Sequence, residues 1–95
     1  MQLEKCLPIK QRDWKNWRAK NEKLNADIVL KIGMKVRDCF GTVGIIQRIE
    51  EGYDIEEHGT IEVFRLDTTD YGLNNCEHFC FYDWQKHLRI LDMNE

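Results

Sequence analysis

Serine occurs nowhere in the 95 residues, and Pro8 is the only proline. Without serine there is no Ser-based catalytic triad, and no Ser- or Pro-rich stretch divides the chain. No apolar run approaches the roughly 20 residues that a membrane-spanning helix needs, so no membrane partner is expected. The opening residues Met1 to Cys6 carry charges with no apolar stretch behind them. No secretory signal is therefore expected, and the four cysteines read as reduced thiols of a cytoplasmic protein. The rest of the composition is that of a globular chain, 42% apolar and 33% charged, at a length suited to one small core.

Charge is unevenly distributed. Through Lys31, eight Lys/Arg residues face four acids, giving +4; beyond it, six basic residues face thirteen acids, giving −7, and the two sum to the overall −3. The chain thus reads as a basic N-terminal arm, residues 1–29, joined to an acidic body, residues 30–95. One reading folds the arm back onto its own body or onto a sister subunit, its charges solvated around an apolar seam. The other makes it a cationic surface for nucleic acid or for an acidic partner. Phosphate would then have to overcome the repulsion of the body.

Within the arm, the pattern predicts a helix from about Asp13 to Asn25. Asp13 is a plausible N-cap, and Trp14, Trp17 and Leu24 are expected to share one face. Burying two indoles at roughly 25 cal/mol per Å² outweighs what exposed charges contribute, so the tryptophans should decide where the helix docks. They pack on the body as core, or they anchor a partner together with Arg18, since Trp and Arg are frequent hot-spot residues.

After Leu30 the helical period gives way to alternation. Leu30, Ile32, Met34 and Val36 predict a first strand, ending where Asp38 and Gly41 mark a tight turn. Thr42 to Glu51 predicts a second strand with Val43, Ile45 and Ile49 on one face, interrupted at Gln47 and bulged near Ile46. An acidic connection bracketed by Gly52 and Gly59 leads to a third strand, Thr60 to Leu66, and Thr68 to Asn75 reads as a polar loop. In Glu77 to Tyr82 the alternation directs Phe79 and Phe81 to the core. Asp83 to His87 supplies one short helical turn, and Leu88 to Leu91 a last strand. The fold class expected is mainly β, of the α+β kind.

The segment Ile32-Gly33-Met34-Lys35-Val36-Arg37-Asp38, then Gly41-Thr42-Val43-Gly44-Ile45-Ile46, and the turn into Leu88-Arg89-Ile90-Leu91 resemble SH3-like small β-barrels of the KOW and Tudor kind. The likeness covers about two-thirds of the chain. It implies a five-stranded barrel preceded by the helical arm, with glycines serving a positive-φ turn and a close strand crossing. It also implies loop aromatics that stack on ligands, which singles out Phe40, Tyr53, Tyr71 and Tyr82. An acidic barrel with an idiosyncratic basic arm is similar, too, to small bacteriophage proteins. That resemblance implies binding and inhibiting or redirecting a host component.

Candidates for chemistry are few. Cys76, His78 and Cys80 share a strand face and, with Cys39 or Cys6, could make up a zinc set, but same-face strand positions diverge rather than converge on one ion. No metal site or cofactor is therefore expected. His58, beside Glu56 and Glu57, lacks an identifiable nucleophile, and the acids from Glu50 to Glu57 lack the ligand spacing of a calcium loop. The leading expectation is a non-catalytic module that binds a protein partner through Trp14, Trp17 and Arg18 of the arm and Tyr53 and Tyr71 of the loops. A second is nucleic-acid or nucleotide binding by Lys10, Arg12, Lys15, Arg18, Lys20 and Lys23. A zinc-stabilised fold or enzyme is a third. A homodimer, joined by oppositely charged arm and body, is a further alternative.

Overall fold

The computed structural model describes residues 4–52, 54, 56–68 and 75–92. A 3-10 turn, Gln11–Asp13, leads into helix α1, Trp14–Leu24. Strands β1, Lys35–Arg37, β2, Val43–Glu50, β3, Thr60–Arg65, and β4, Cys76–Cys80, follow. A second 3-10 turn, Phe81–Asp83, runs into the short helix α2, Trp84–His87, and the described chain closes with β5, Arg89–Asp92. The strands form one five-stranded antiparallel sheet in the order β4-β3-β2-β1-β5, so β5 crosses back to pair with β1. The architecture is mainly β with an N-terminal helix, as expected.

Asp38 makes the β1–β2 reversal. Its carboxylate Oδ1 accepts from the backbone N–H groups of Phe40 and Thr42, both at 2.9 Å, and Gly41 N–H donates to the Asp38 carbonyl at 3.3 Å. Gly41 sits at φ +86°, and a Cβ there would drive into the Cys6 carbonyl. Gly44 meets a different constraint: a side chain on it would collide with Val63 and come within 2.6 Å of the Phe64 carbonyl. The sheet can curl at this crossing because nothing projects from Gly44.

Met34, Val36, Ile46, Ile61, Val63, Trp84 and Leu88 form the core, with Ile28, Leu30, Ile49, Phe79, Phe81 and Ile90 packed around it. Three expectations need correcting. Ile32 does not continue the alternation of the first strand, because residues 32–33 form a turn ahead of β1 and leave Ile32 65% exposed. In β2 the inward face passes through Ile46, and the register shift between Ile46 and Arg48 brings Ile49 onto the same side. That bulge adds one residue, so two positions three apart face one way.

The third correction concerns α1. Its ends lie where expected, flanked by Asp13 and Asn25, although Asp13 makes no side-chain cap. Leu24, however, is 55% exposed, and the buried stripe runs through Trp17, Asn21 and Asn25. At about 100° per residue Trp17, Asn21 and Asn25 follow one another at steps of about 40°, and Leu24, the last residue of the helix, lies at the edge of that stripe about 60° from Asn21. The asparagines are buried because α2 needs them. Asn25 Nδ2 donates to the carbonyls of Gln85 at 2.9 Å and Leu88 at 2.7 Å, and Asn21 Nδ2 donates to Lys86 O at 3.4 Å. A four-residue helix has no carbonyl beyond its terminal turn, so α1 satisfies groups that α2 cannot.

The arm lies against the body along its whole described length. Backbone bonds run from Glu4 N to Leu66 O, Cys6 N to Gly41 O and Ile9 N to Cys39 O, at 2.8 to 2.9 Å. Glu4 also pairs with Lys35 at 2.9 Å.

Candidate functional site

Trp17 is only 7% exposed and joins arm to sheet. The β1–β5 register sets Arg37 opposite Arg89, and both guanidiniums stack on the Trp17 ring, at 5.8 and 5.2 Å from its centre. Arg37 is further held by the carbonyls of Asp38 and Leu7, and Arg89 by Asn21 Oδ1 at 2.8 Å. Burial, and then the charge of Arg37, push the Arg89 guanidinium below its usual value. Two like charges sit side by side here because an aromatic face and several carbonyl-type oxygens share them.

Trp14 has a different setting. It is half-buried; its indole N–H donates to Ile9 O at 2.9 Å, and its ring meets Phe40 edge-on at a centroid distance of 5.6 Å. Arg18 lies over the same ring at 5.6 Å. Phe40 itself is 60% exposed at the tip of the β1–β2 turn. Arm and turn therefore present one continuous cluster, Arg18, Trp14 and Phe40.

That cluster borders an open groove of about 540 Å³. Trp17 and Arg18 of α1 and the turn residues Asp38 to Phe40 form one wall. Glu77 to Cys80 of β4, with Asp83 and His87 at the ends of α2, form the other. The Glu77 carboxyl is pushed up to about 7, first by burial and then by a hydrogen bond with Asp38 and the charge of that residue. Burial, reinforced by Asp38, also pushes the Cys39 thiol up, the opposite of what an activated nucleophile requires. His87 lies 3.4 Å from Asp83, and among the described residues no thiol is hydrogen-bonded to an imidazole.

The other residues singled out by sequence are dispersed. Lys10, Arg12, Lys15, Lys20 and Lys23 are exposed on the arm, and among the described residues none is ion-paired with a carboxylate. Cys76 accepts from Gln47 and His78 contacts Glu62 at 3.1 Å, both on the outer face of the sheet. Among the described residues no three His, Cys, Asp or Glu side chains gather to hold a metal. His58, Glu56 and Glu57 lie in the exposed β2–β3 connection, where Asp54 accepts from the N–H groups of Glu56 and Glu57. Tyr82 is exposed beside α2, whereas Tyr53 and Tyr71 lie outside the described residues. Sequence reasoning missed Asp38, Glu77 and Asp83 as groove residues, since their approach depends on the curl of the sheet.

No helix among the described residues is long and apolar enough to cross a membrane. No protein-family model, curated protein or solved structure matches the chain.

Proposed function

We propose that this protein is a non-catalytic binding module, an SH3-like barrel with a docked helical arm, which recognises a protein partner through the groove between α1 and β4. The exposed Phe40, backed by Trp14 and flanked by Arg18, carries the reading. Aromatic and arginine side chains beside a concave surface are the composition from which interface hot spots are built. A four-strand meander, a short helical turn and a fifth strand returning to β1 support the barrel assignment. A phage-type inhibitor or adaptor fits this reading, because such a protein acts by occupying a partner and needs no turnover. The raised Cys39 thiol favours binding over cysteine chemistry.

Affinity capture with surface variants tests it. Phe40→Asp and Arg18→Glu should each lose, at least tenfold, the partner that the unaltered protein retains. Leu91→Asp, exposed on β5 away from the groove, should keep it. Retention by all three would refute the groove.

The solvated cations of α1 support a second reading, nucleic-acid binding along the arm. Its signature is an affinity that falls steeply with salt. Lack of binding to single- or double-stranded DNA and RNA at 50 mM salt, on the order of the lowest concentrations used for such tests, would dismiss it.

A further inference from the structure

Among the described residues β4 ends the sheet and is paired with β3 alone. Side chains along a strand alternate between faces, yet the four consecutive residues Glu77 to Cys80 all line the same groove. This arrangement arises where the backbone edge itself forms the wall. The register shows which groups point outward. Phe81 N–H donates to Gly59 O at 2.9 Å, and the pairing continues without a bulge through Phe79 with Ile61 and Glu77 with Val63. In an antiparallel ladder alternate residues exchange both bonds with the partner strand. Phe79 and Glu77 therefore bond to β3, while the N–H and C=O of His78 and the N–H of Cys80 face the groove. Outside the ladder, nothing among the described residues bonds to either N–H.

Two further observations define what would fit. Two residues that line the groove, Trp17 and Asp83, also carry a buried polar atom without a partner, Nε1 and Oδ1, which marks a polar lining beside the strand edge. Among the described residues that line the groove, Asp38, Glu77 and Asp83 outnumber the one permanent cation, Arg18. Burial and the adjacent Asp38 push the Glu77 carboxyl up to about 7 even with Arg65 near, and a cationic side chain set beside the two carboxyls would offset that repulsion. A second copy of the chain fits poorly at this edge, because pairing β4 with β4 would add a second set of the same acids.

We infer that β4 accepts an extended, cationic segment of a partner protein as a sixth strand, its backbone bonded to His78 and Cys80 and a Lys or Arg set beside Asp38 and Glu77. The inference rests on the protein-binding reading above and supplies its partner chemistry.

The probes are end-blocked octapeptides alternating Lys with Val, alternating Glu with Val, and the Lys/Val sequence N-methylated at every second residue. Each is added at millimolar concentration to the full-length ¹⁵N-labelled protein, with amide exchange followed by NMR. The Lys/Val peptide should slow exchange at His78 and Cys80 at least tenfold and leave the already bonded Phe79 little changed; the other two should not. Cys80 has φ −70°, so Cys80→Pro suits its backbone and removes only an outward N–H. That variant should keep the spectrum of the fold and bind the Lys/Val peptide at least tenfold more weakly. Equal binding by Cys80→Pro, or equal protection by the Glu/Val peptide, would overturn the inference. Shifts at Phe40 and Arg18 with unchanged His78 and Cys80 exchange would overturn strand addition alone and leave the groove as a binding site. No response to any peptide would also overturn strand addition, while the capture experiment decides the groove separately.

Discussion

Asn25, just past the end of α1, is buried, and its carboxamide holds the carbonyls of Gln85 in α2 and of Leu88 directly after it. Asn25→Leu, close in size, should cost about 1–3 kcal/mol by leaving those acceptors unpaired. Leu24→Asn, one position away on the exposed side, should stay within about 0.5 kcal/mol. Urea denaturation of the two variants checks the contrast. Glu77 gives a pH signature. Its folded pKa, raised to about 7 from the ordinary 4.5, means that the folded protein binds the proton more tightly than the unfolded chain. Stability should therefore be fully supported by this group below pH 4.5, fall as pH rises toward 7 and level off above it. Glu77→Gln should remove that slope and be the more stable protein at pH 8, on the order of one pH unit above the folded pKa, as melting curves across the range would show. A variant that kept the wild-type slope would place the titration elsewhere.

At the scale of elements, β2 shows where the sequence could be read and where it could not. The runs that became β3 and β4 alternate plainly, and β3 lies where that alternation put it, while β4 starts one residue earlier and gives way at Phe81 and Tyr82 to a 3-10 turn. The Asp38–Gly41 reversal was equally legible, since acid and glycine each have a local geometric task. The bulge near Ile46 was legible as well, but the inward face of β2 was not, because alternation from Val43 favours Ile45 while the core takes Ile46. The α1 stripe was misassigned for another reason: its buried residues are polar, and their partners are carbonyls of a helix distant in sequence. Of the candidate site, Phe40 and Arg18 were visible singly, while their meeting with β4 depends on how far the sheet curls. Gly44 is the point that permits that curl. Gly44→Ala should destabilise by about 1–3 kcal/mol through overpacking against Val63 and the Phe64 carbonyl, measurable by chemical denaturation.

Across the described residues, the basic arm is fastened to the acidic body by an indole stacked with two guanidiniums and by a run of backbone bonds, while its lysines stay in water. Trp17 is thus buried between arm and sheet, and the surface left exposed beside it is the cluster of Arg18, Trp14 and Phe40, which the proposed reading uses for recognition. Trp17→Ala should cost about 3–5 kcal/mol and loosen α1. Phe40, at 60% exposure, can be altered with little loss of stability, which makes it the better probe of function. The most direct measurement is photo-crosslinking in source cells, with a benzophenone amino acid placed at Phe40 and, as a control, at Leu91, which is also exposed. A discrete protein adduct from position 40, absent from position 91 and suppressed by Arg18→Glu, is the expected result. Adducts arising from position 91 and none from position 40 would contradict a groove that holds a protein partner.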